Sequence, residues 1–211
     1  MSVPADIQDL VDSAAEALHV ELKEWINFAE PVVRAKAARH IAALANHGGG
    51  YFIIGIRDDG TLDPRQPDDF SRYTHDEITG IVDRYLTPTF QCDAFVVSPT
   101  DSHRQCIVIR VPSHGSVPIC AKADGPHDDR GRPQGIRKSE YYIRVPGPKS
   151  VPIESPEQWR VLIHRCVLSE RSSLLSSIAK VLTPAHSTSD AGAGKLKVWH
   201  DAMRMHFREL L

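Results

Sequence analysis

The sequence contains no apolar run near the ~18 residues that a membrane-spanning helix requires. Its N-terminal segment, MSVPADIQDLVDS, is acidic and lacks the apolar h-region of a secretory signal. The four cysteines form no CxxC or CxxxH cluster, which argues against a zinc site and favours reduced, buried thiols. These absences predict a cytoplasmic protein with no membrane partner and no structural zinc.

Several catalytic signatures are also missing. No GKS or GKT follows the glycine run Gly48–Gly50, and the chain has neither an HExxH pair nor a GxSxG elbow. The run also leads from a predicted helix into a predicted strand, which is the reverse of the order in a phosphate-binding loop. We therefore interpret Gly48–Gly50 as a left-handed helix C-cap and a tight entry into a buried strand.

Charge is nearly balanced, with 25 Lys and Arg against 27 Asp and Glu and a net charge of −2. The field of the whole chain therefore does not indicate a nucleic-acid partner. Basic residues are nevertheless concentrated in residues 126–138, PHDDRGRPQGIRK, which we call the basic loop. A local patch of this kind can bind phosphates even when the average charge cannot, and a solvated loop is the alternative interpretation.

Hydrophobic periodicity predicts an α+β fold. Helices are predicted over residues 5–17, 31–47, about 74–85 and from Ser155 onward. Strands are predicted at HVELKEWIN, YFIIGI, FQCDAFVVS, QCIVIRV, PICAKAD and EYYIRVPG. The apolar run YFIIGI is too short for a helix, so we predict that it is the central strand.

The domain organisation predicted from the same patterns is one core followed by helices. The core spans residues 1–154, and residues 155–183 form a helix or helix pair that packs on it. Residues 184–194 are small and polar, as in a linker, and residues 195–211 resume a helix that stops abruptly. That ending suggests a longer protein, and it leaves open either a homo-oligomer or a fused effector domain beyond residue 211.

Acidic residues surround the first and central predicted strands. Glu21 and Lys23 are two apart, so an extended segment presents both side chains on one face. Glu16 lies at the end of the preceding predicted helix, and Asp58 and Asp59 follow YFIIGI. Carboxylates that converge with a lysine are the arrangement by which nucleases hold Mg²⁺ or Mn²⁺. Acidic and basic residues alternating on a solvated strand face are the alternative.

Two sequence elements resemble the Schlafen AlbA-like domain. The first is ExxxxExK at Glu16, Glu21 and Lys23, followed by the run AALANHGGGYFIIGIRDDG. Within that run the matching positions are Ala43, Ala45, Asn46, Gly49, Gly50, Gly55, Asp58, Asp59 and Gly60. The second element, in EYYIRVPGPKSVPIES, matches through Tyr142, Arg144, Gly147 and Ser150. Together they extend the resemblance over about residues 10–155.

The resemblance implies an α+β fold with a curved mixed β-sheet flanked by helices. It also implies nucleic-acid binding, since the family includes endonucleases that cleave transfer RNA with three carboxylates, alongside microbial regulators and some proteins of phage defence. This chain departs from the family pattern at Leu22, where an aromatic is usual, and it has no counterpart of the zinc-binding cluster of the animal proteins.

Two functions follow as hypotheses. The first is a metal-dependent endoribonuclease acting on structured, tRNA-like RNA, with RNA favoured over DNA as the partner. Its metal ligands would be Glu16, Glu21, Asp58 and Asp59, with Glu16, Glu21, Lys23 and Asp58 as catalytic residues. Its nucleic-acid contacts would be Arg132, Arg137, Lys138, Tyr142 and Arg144. The second is a non-catalytic DNA- or RNA-binding module of a regulator, in which the basic loop binds and the acids have no catalytic role.

Overall fold

The computed structural model describes residues 4–182, so the predicted linker and terminal helix lie outside the described residues. The helices are α1 (Ala5–Asp12), α2 (Pro31–His47), α3 (His75–Tyr85) and α4 (Pro156–Leu182), with a 3₁₀ turn at Ser71–Tyr73. The strands are β1 (Val20–Lys23), β2 (Gly50–Ile54), β3 (Leu86–Thr87), β4 (Asp93–Val97), β5 (Cys106–Val111), β6 (Cys120–Ala121), β7 (Tyr142–Val145) and β8 (Lys149–Pro152). None of the described helices is long and apolar enough to span a membrane.

The main sheet has four strands in the order β1-β2-β5-β4. Strands β1 and β2 are parallel, whereas β2–β5 and β5–β4 are antiparallel. This mixed sheet confirms the predicted α+β class, and β2 lies inside it as the central strand that YFIIGI predicted. Two further pairs, β3–β6 and β7–β8, form small antiparallel sheets.

Both faces of β2 are buried, which explains its continuous apolar sequence. Phe52 and Ile54 face the larger hydrophobic cluster, which α2 and α3 cover. Ile53 faces the smaller cluster, to which α1 contributes Ile7 and Val11. The sheet is therefore a layer between helices. Alternate side chains of β1 likewise point to opposite faces of the sheet.

Helix α2 begins and ends where the sequence predicts. Pro31 occupies its first turn, and Gly48 caps its C-terminus in the left-handed region at φ 115°. At position 50 glycine is needed for a different reason: any Cβ there would collide with the carbonyl oxygen of His19. The glycine run is thus a cap and a close backbone approach, as predicted.

Two predicted elements end earlier than expected, and tertiary contacts follow each end. The helix predicted over residues 5–17 ends at Asp12, and beyond it Gly60 packs closely against the carbonyl oxygen of Ala14. The strand predicted at HVELKEWIN ends at Lys23. Two residues later the backbone N–H of Trp25 donates to the Asp63 carboxylate at 2.9 Å instead of joining a strand ladder.

The cysteines are all free. Cys92 and Cys106 are buried, as predicted, and burial raises the pKa of each thiol to about 12. Cys120 and Cys166 are only partly buried. The pair in the core therefore consists of inert, protonated thiols at neutral pH.

A single helix, α4, occupies the range predicted as a helix or helix pair. The first compact unit of the chain extends through Arg171, within α4. The division at residue 154 stays a prediction. In the first unit Leu162 is the fully buried residue of α4, and Trp159 and Ile163 on the same helix are exposed.

Candidate nucleic-acid interface and acidic site

Strand β1 presents Glu21 and Lys23 on the face opposite Val20 and Leu22, so the predicted period of two is confirmed. Lys23 Nζ lies 2.7 Å from Glu21 Oε1. His40, from the middle of α2, places its Nδ1 3.1 Å from the same oxygen. The carboxylate itself is buried, with only 3% of its side chain exposed.

Arg144 of β7 binds the other oxygen of Glu21. Its guanidinium is fully buried and also donates to Ser150 Oγ at 3.1 Å. The remaining donors bind the carbonyl oxygens of Leu18, Ala17 and Val20 at 3.0–3.2 Å. All five N–H donors of a guanidinium are therefore satisfied inside the protein. The predicted phosphate contact by Arg144 is wrong, because no donor remains for an external ligand.

The pKa values around Glu21 follow from this crowding. Burial by itself would raise the pKa of Glu21, but His40 and Lys23 outweigh it and lower the pKa to about 2. Burial lowers the pKa of His40 in spite of Glu21, so His40 is neutral at pH 7. A neutral His40 supplies a hydrogen bond and no charge, so the positive charges of Lys23 and Arg144 keep Glu21 ionised.

Glu16 and Asp58 lie nearer the surface. Glu16 follows α1 in an irregular connection rather than ending the helix, and Asp58 is exposed in the turn after β2. Burial raises the pKa of Glu16, and the negative charges of Glu21 and Asp58 raise it further, while Lys23 opposes them. Glu16 is therefore close enough to Glu21, Asp58 and Lys23 to be influenced by their charges.

Asp59 points elsewhere. Its carboxylate accepts from the backbone N–H and the hydroxyl of Thr61, at 2.9 and 2.6 Å. These two bonds lower the pKa of Asp59 and are typical of an Asx turn. Asp59 thus holds the turn after β2, which leaves Asp58 as the better candidate for a third acid.

The donor set does not fit a divalent ion bound by Glu21. Within residues 4–182 there is no group of three His, Cys, Asp or Glu side chains that could hold a metal. Both oxygens of Glu21 are already engaged, by Lys23 and His40 on one side and Arg144 on the other. A metal ligand needs a free lone pair directed at the ion, and this carboxylate would have to give up its partners first.

Two arginines of the basic loop form ion pairs, one within the loop and one with Glu140 just beyond it. Arg132 pairs with Asp128 at 2.9 Å and Arg137 with Glu140 at 3.3 Å, yet both arginine side chains are more than half exposed. Lys138 is exposed, and its side chain has no partner among the described residues. The predicted contacts Arg132, Arg137 and Lys138 are therefore accessible to a phosphate.

Tyr142 does not belong to this surface. It is 4% exposed, and its hydroxyl donates to Glu140 at 2.5 Å while accepting from the backbone N–H of Arg137 at 2.9 Å. Burial raises the pKa of this phenol. The predicted nucleic-acid contact by Tyr142 is wrong, and the residue instead fixes the end of the basic loop.

Several residues of the network have roles that the sequence did not indicate. His40 Nδ1 lies 3.0 Å from Ser150 Oγ. His40 also contacts Glu21, and Ser150 accepts a hydrogen bond from Arg144. Asn46, fully buried, bonds the backbone of Ile119 in both directions and the carbonyl oxygen of Tyr142, at 2.8–2.9 Å. The available signal was a polar residue on the otherwise apolar face of α2, which in a core requires partners.

The chain is similar to the N-terminal domain of a protein related to the ATP-dependent DNA helicase RecG from Nitrosomonas europaea. The identity is 20%, the TM-score 0.36, and the coverage 66% of this chain and 92% of that one. No curated protein matches. The family model "Schlafen, AlbA_2" matches residues 16–153, so the chain belongs to this family and carries its nucleic-acid-binding domain.

Proposed function

We propose that the chain binds nucleic acid through phosphate contacts and does not use Glu21 to cut it. The observation that carries the proposal is the state of Glu21, which is buried and engaged by Lys23, His40 and Arg144. A carboxylate in this state compensates the charge of a buried arginine, which would otherwise be unpaired in the interior. Glu21, on which the nuclease hypothesis depends most, therefore has a structural role.

The basic loop is the proposed phosphate-binding surface. It packs over the first half of α2, since a Cβ on Gly135 would lie 2.8 Å from the backbone nitrogen of Lys36. This contact brings the exposed Lys36 next to the loop, and Arg130 adds another exposed cation without a side-chain partner among the described residues. Phosphates can compete with the partly exposed carboxylates Asp128 and Glu140 for the two exposed arginines, because such surface pairs are worth little in water.

Filter binding tests this proposal with a structured RNA and a DNA duplex of equal length. Affinity should fall steeply with salt and remain the same with EDTA, because contacts between basic side chains and phosphates need no divalent metal. The double variant Arg130→Ala/Lys138→Ala should bind more weakly, whereas Arg104→Ala, at an exposed position away from the loop, should not. Loss of binding in EDTA, or equal binding by the double variant, would contradict the proposal. The RNA-to-DNA ratio reports the preferred partner.

A metal-dependent endoribonuclease acting on tRNA-like RNA is the second candidate. The coupling of Glu16 with Glu21 and Asp58, next to Lys23, is the observation that favours it. With Mg²⁺ or Mn²⁺ such a site would polarise a phosphate and activate water, but Glu21 would have to release its partners.

Cleavage of total tRNA with Mn²⁺ tests this second candidate. If it holds, the native chain cleaves and Glu16→Gln and Asp58→Asn do not, while Asp59→Asn, whose carboxylate serves the turn, retains activity. These surface variants are preferable to Glu21→Ala, which would leave Arg144 buried without its partner. Absence of cleavage by the native chain, or equal cleavage by all four proteins, would reject it.

A further inference from the structure

A groove lies beyond the end of β1, around Trp25. It encloses about 560 Å³. Its lining residues, which define the Trp25 groove, are Lys23, Glu24, Trp25, Ile26, Arg57, Asp58, Asp59 and Arg65. A smaller adjoining groove of about 260 Å³ shares Trp25 and Arg65 and adds Arg72 and Tyr73. The larger volume is within the usual range of small-molecule sites.

The ring of Trp25 is held in one orientation. It contacts Phe70 and Tyr73 with ring centroids 5.6 and 5.5 Å away. On another side, a Cβ on Gly55 would lie only 2.7 Å from the indole, so the absence of a side chain there makes room for the ring. Trp25 is partly exposed and lines both grooves, which is the setting of an aromatic stacking platform.

Two buried donors of the Trp25 groove have no acceptor among the described residues. One is the indole Nε1 of Trp25, and the other is Nε of Arg57. The Arg57 nitrogen is 3.3 Å from a Glu24 oxygen, but the geometry is not that of a hydrogen bond. Buried donors almost always have partners, so two orphans in one groove point to a ligand that carries acceptors.

Charge indicates what kind of ligand this is. The cations Lys23, Arg57 and Arg65 are matched in the groove by Glu24, Asp58 and Asp59. Arg65 is further committed to Asp63 at 3.0 Å and Glu24 at 2.5 Å. A lining without excess positive charge is poor for a phosphate backbone. It suits a nucleobase, which offers a π-face and both hydrogen-bond donors and acceptors along its edge.

We propose that the Trp25 groove binds one unpaired base of the nucleic acid, stacked against Trp25, with Arg57 donating to an acceptor on the base edge and Asp58 accepting from it. This inference rests on the proposed function, because the phosphate contacts of the basic loop supply most of the affinity. A duplex keeps its base edges paired, so the groove selects single-stranded or looped segments.

Tryptophan fluorescence tests the inference directly, since the chain has 3 tryptophans. In the background Trp159→Phe/Trp199→Phe, Trp25 is the sole reporter. A short single-stranded oligonucleotide should change its emission in a saturable way. A blunt duplex, or the same strand with abasic sites in place of its bases, should leave the emission unchanged. Equal changes with the abasic strand would show a phosphate effect and overturn the inference.

Arg57→Ala provides an independent arm. It should weaken binding of the single strand about fivefold to a hundredfold, the range expected for one base contact, and leave binding of the abasic strand unchanged. Arg104→Ala is the matched control, and thermal melting verifies that both variants fold. Equal losses on both strands, or no loss, would also overturn the inference. If binding persists while Trp25 does not respond, only this inference fails; if no oligonucleotide binds, the proposed function fails too.

Discussion

Two arginine–carboxylate pairs of the same chemistry lie in opposite environments in this protein. Arg144 and Glu21 are both buried, and each is surrounded by further hydrogen-bonding partners. Arg132 and Asp128 pair at 2.9 Å on the basic loop, with 66% of the arginine side chain exposed. The first pair is part of the core and the second is available for exchange with a phosphate. Burial, not residue type, therefore separates the structural Arg144 from Arg132, which we propose binds phosphate.

The largest expected effect is on the buried pair. Arg144→Ala leaves Glu21 charged in the interior, so the free energy of unfolding should fall by about 3–5 kcal/mol. Urea unfolding at pH 7 measures it. The double variant Arg144→Met/Glu21→Gln, which removes both charges, should recover much of the loss. A loss below about 1 kcal/mol in Arg144→Ala would mean that this pair behaves like a surface pair.

The second largest effect is expected from acid, which should reduce the contribution of the buried Glu21–Arg144 pair to stability. The pKa of Glu21 is lowered from 4.5 to about 2, so its contribution to stability is present above pH 4.5 and is lost as the pH falls toward 2. That shift corresponds to a loss on the order of 3 kcal/mol between these limits. Urea midpoints measured from pH 6 to pH 2.5 should therefore fall more steeply in the native chain than in Glu21→Gln. Parallel curves would place the acid sensitivity elsewhere.

The smallest effect on stability is expected on the basic loop. Arg132→Ala should change the free energy of unfolding by less than about 1 kcal/mol, because the arginine of the Arg132–Asp128 ion pair is largely exposed to water. The same variant should weaken nucleic-acid binding and reduce the slope of log affinity against log salt by roughly 0.7–0.9, one phosphate contact. Parallel urea and filter-binding measurements check both parts. A stability loss as large as that of Arg144→Ala would erase the distinction between the two pairs.

Much of the fold was predictable because its signals are local. The start of α2 at Pro31, its end at Gly48 and the central position of β2 each follow from a few adjacent residues. Period-two geometry also put Glu21 and Lys23 on one face. The early end of α1 was not predictable, since the contact of Ala14 with Gly60 joins segments distant in sequence.

The candidate site was predictable only in part. The sequence indicated the acids and the basic loop, because their residue types and spacing are visible along the chain. It could not reveal that Tyr142 is buried under the loop or that Trp25 lies between two grooves, since burial depends on what packs against a side chain from elsewhere.

By itself the sequence determined the family, the α+β class, the glycine cap and the common face of Glu21 and Lys23, all of which depend on spacing within one segment. Only the tertiary structure decided that Arg144, 123 residues from Glu21 in sequence, neutralises it. The physical reason is that an ionisable group acquires its role from its partners and its exposure to water. Here α2 and the β7–β8 pair supply the partners and exclude the water.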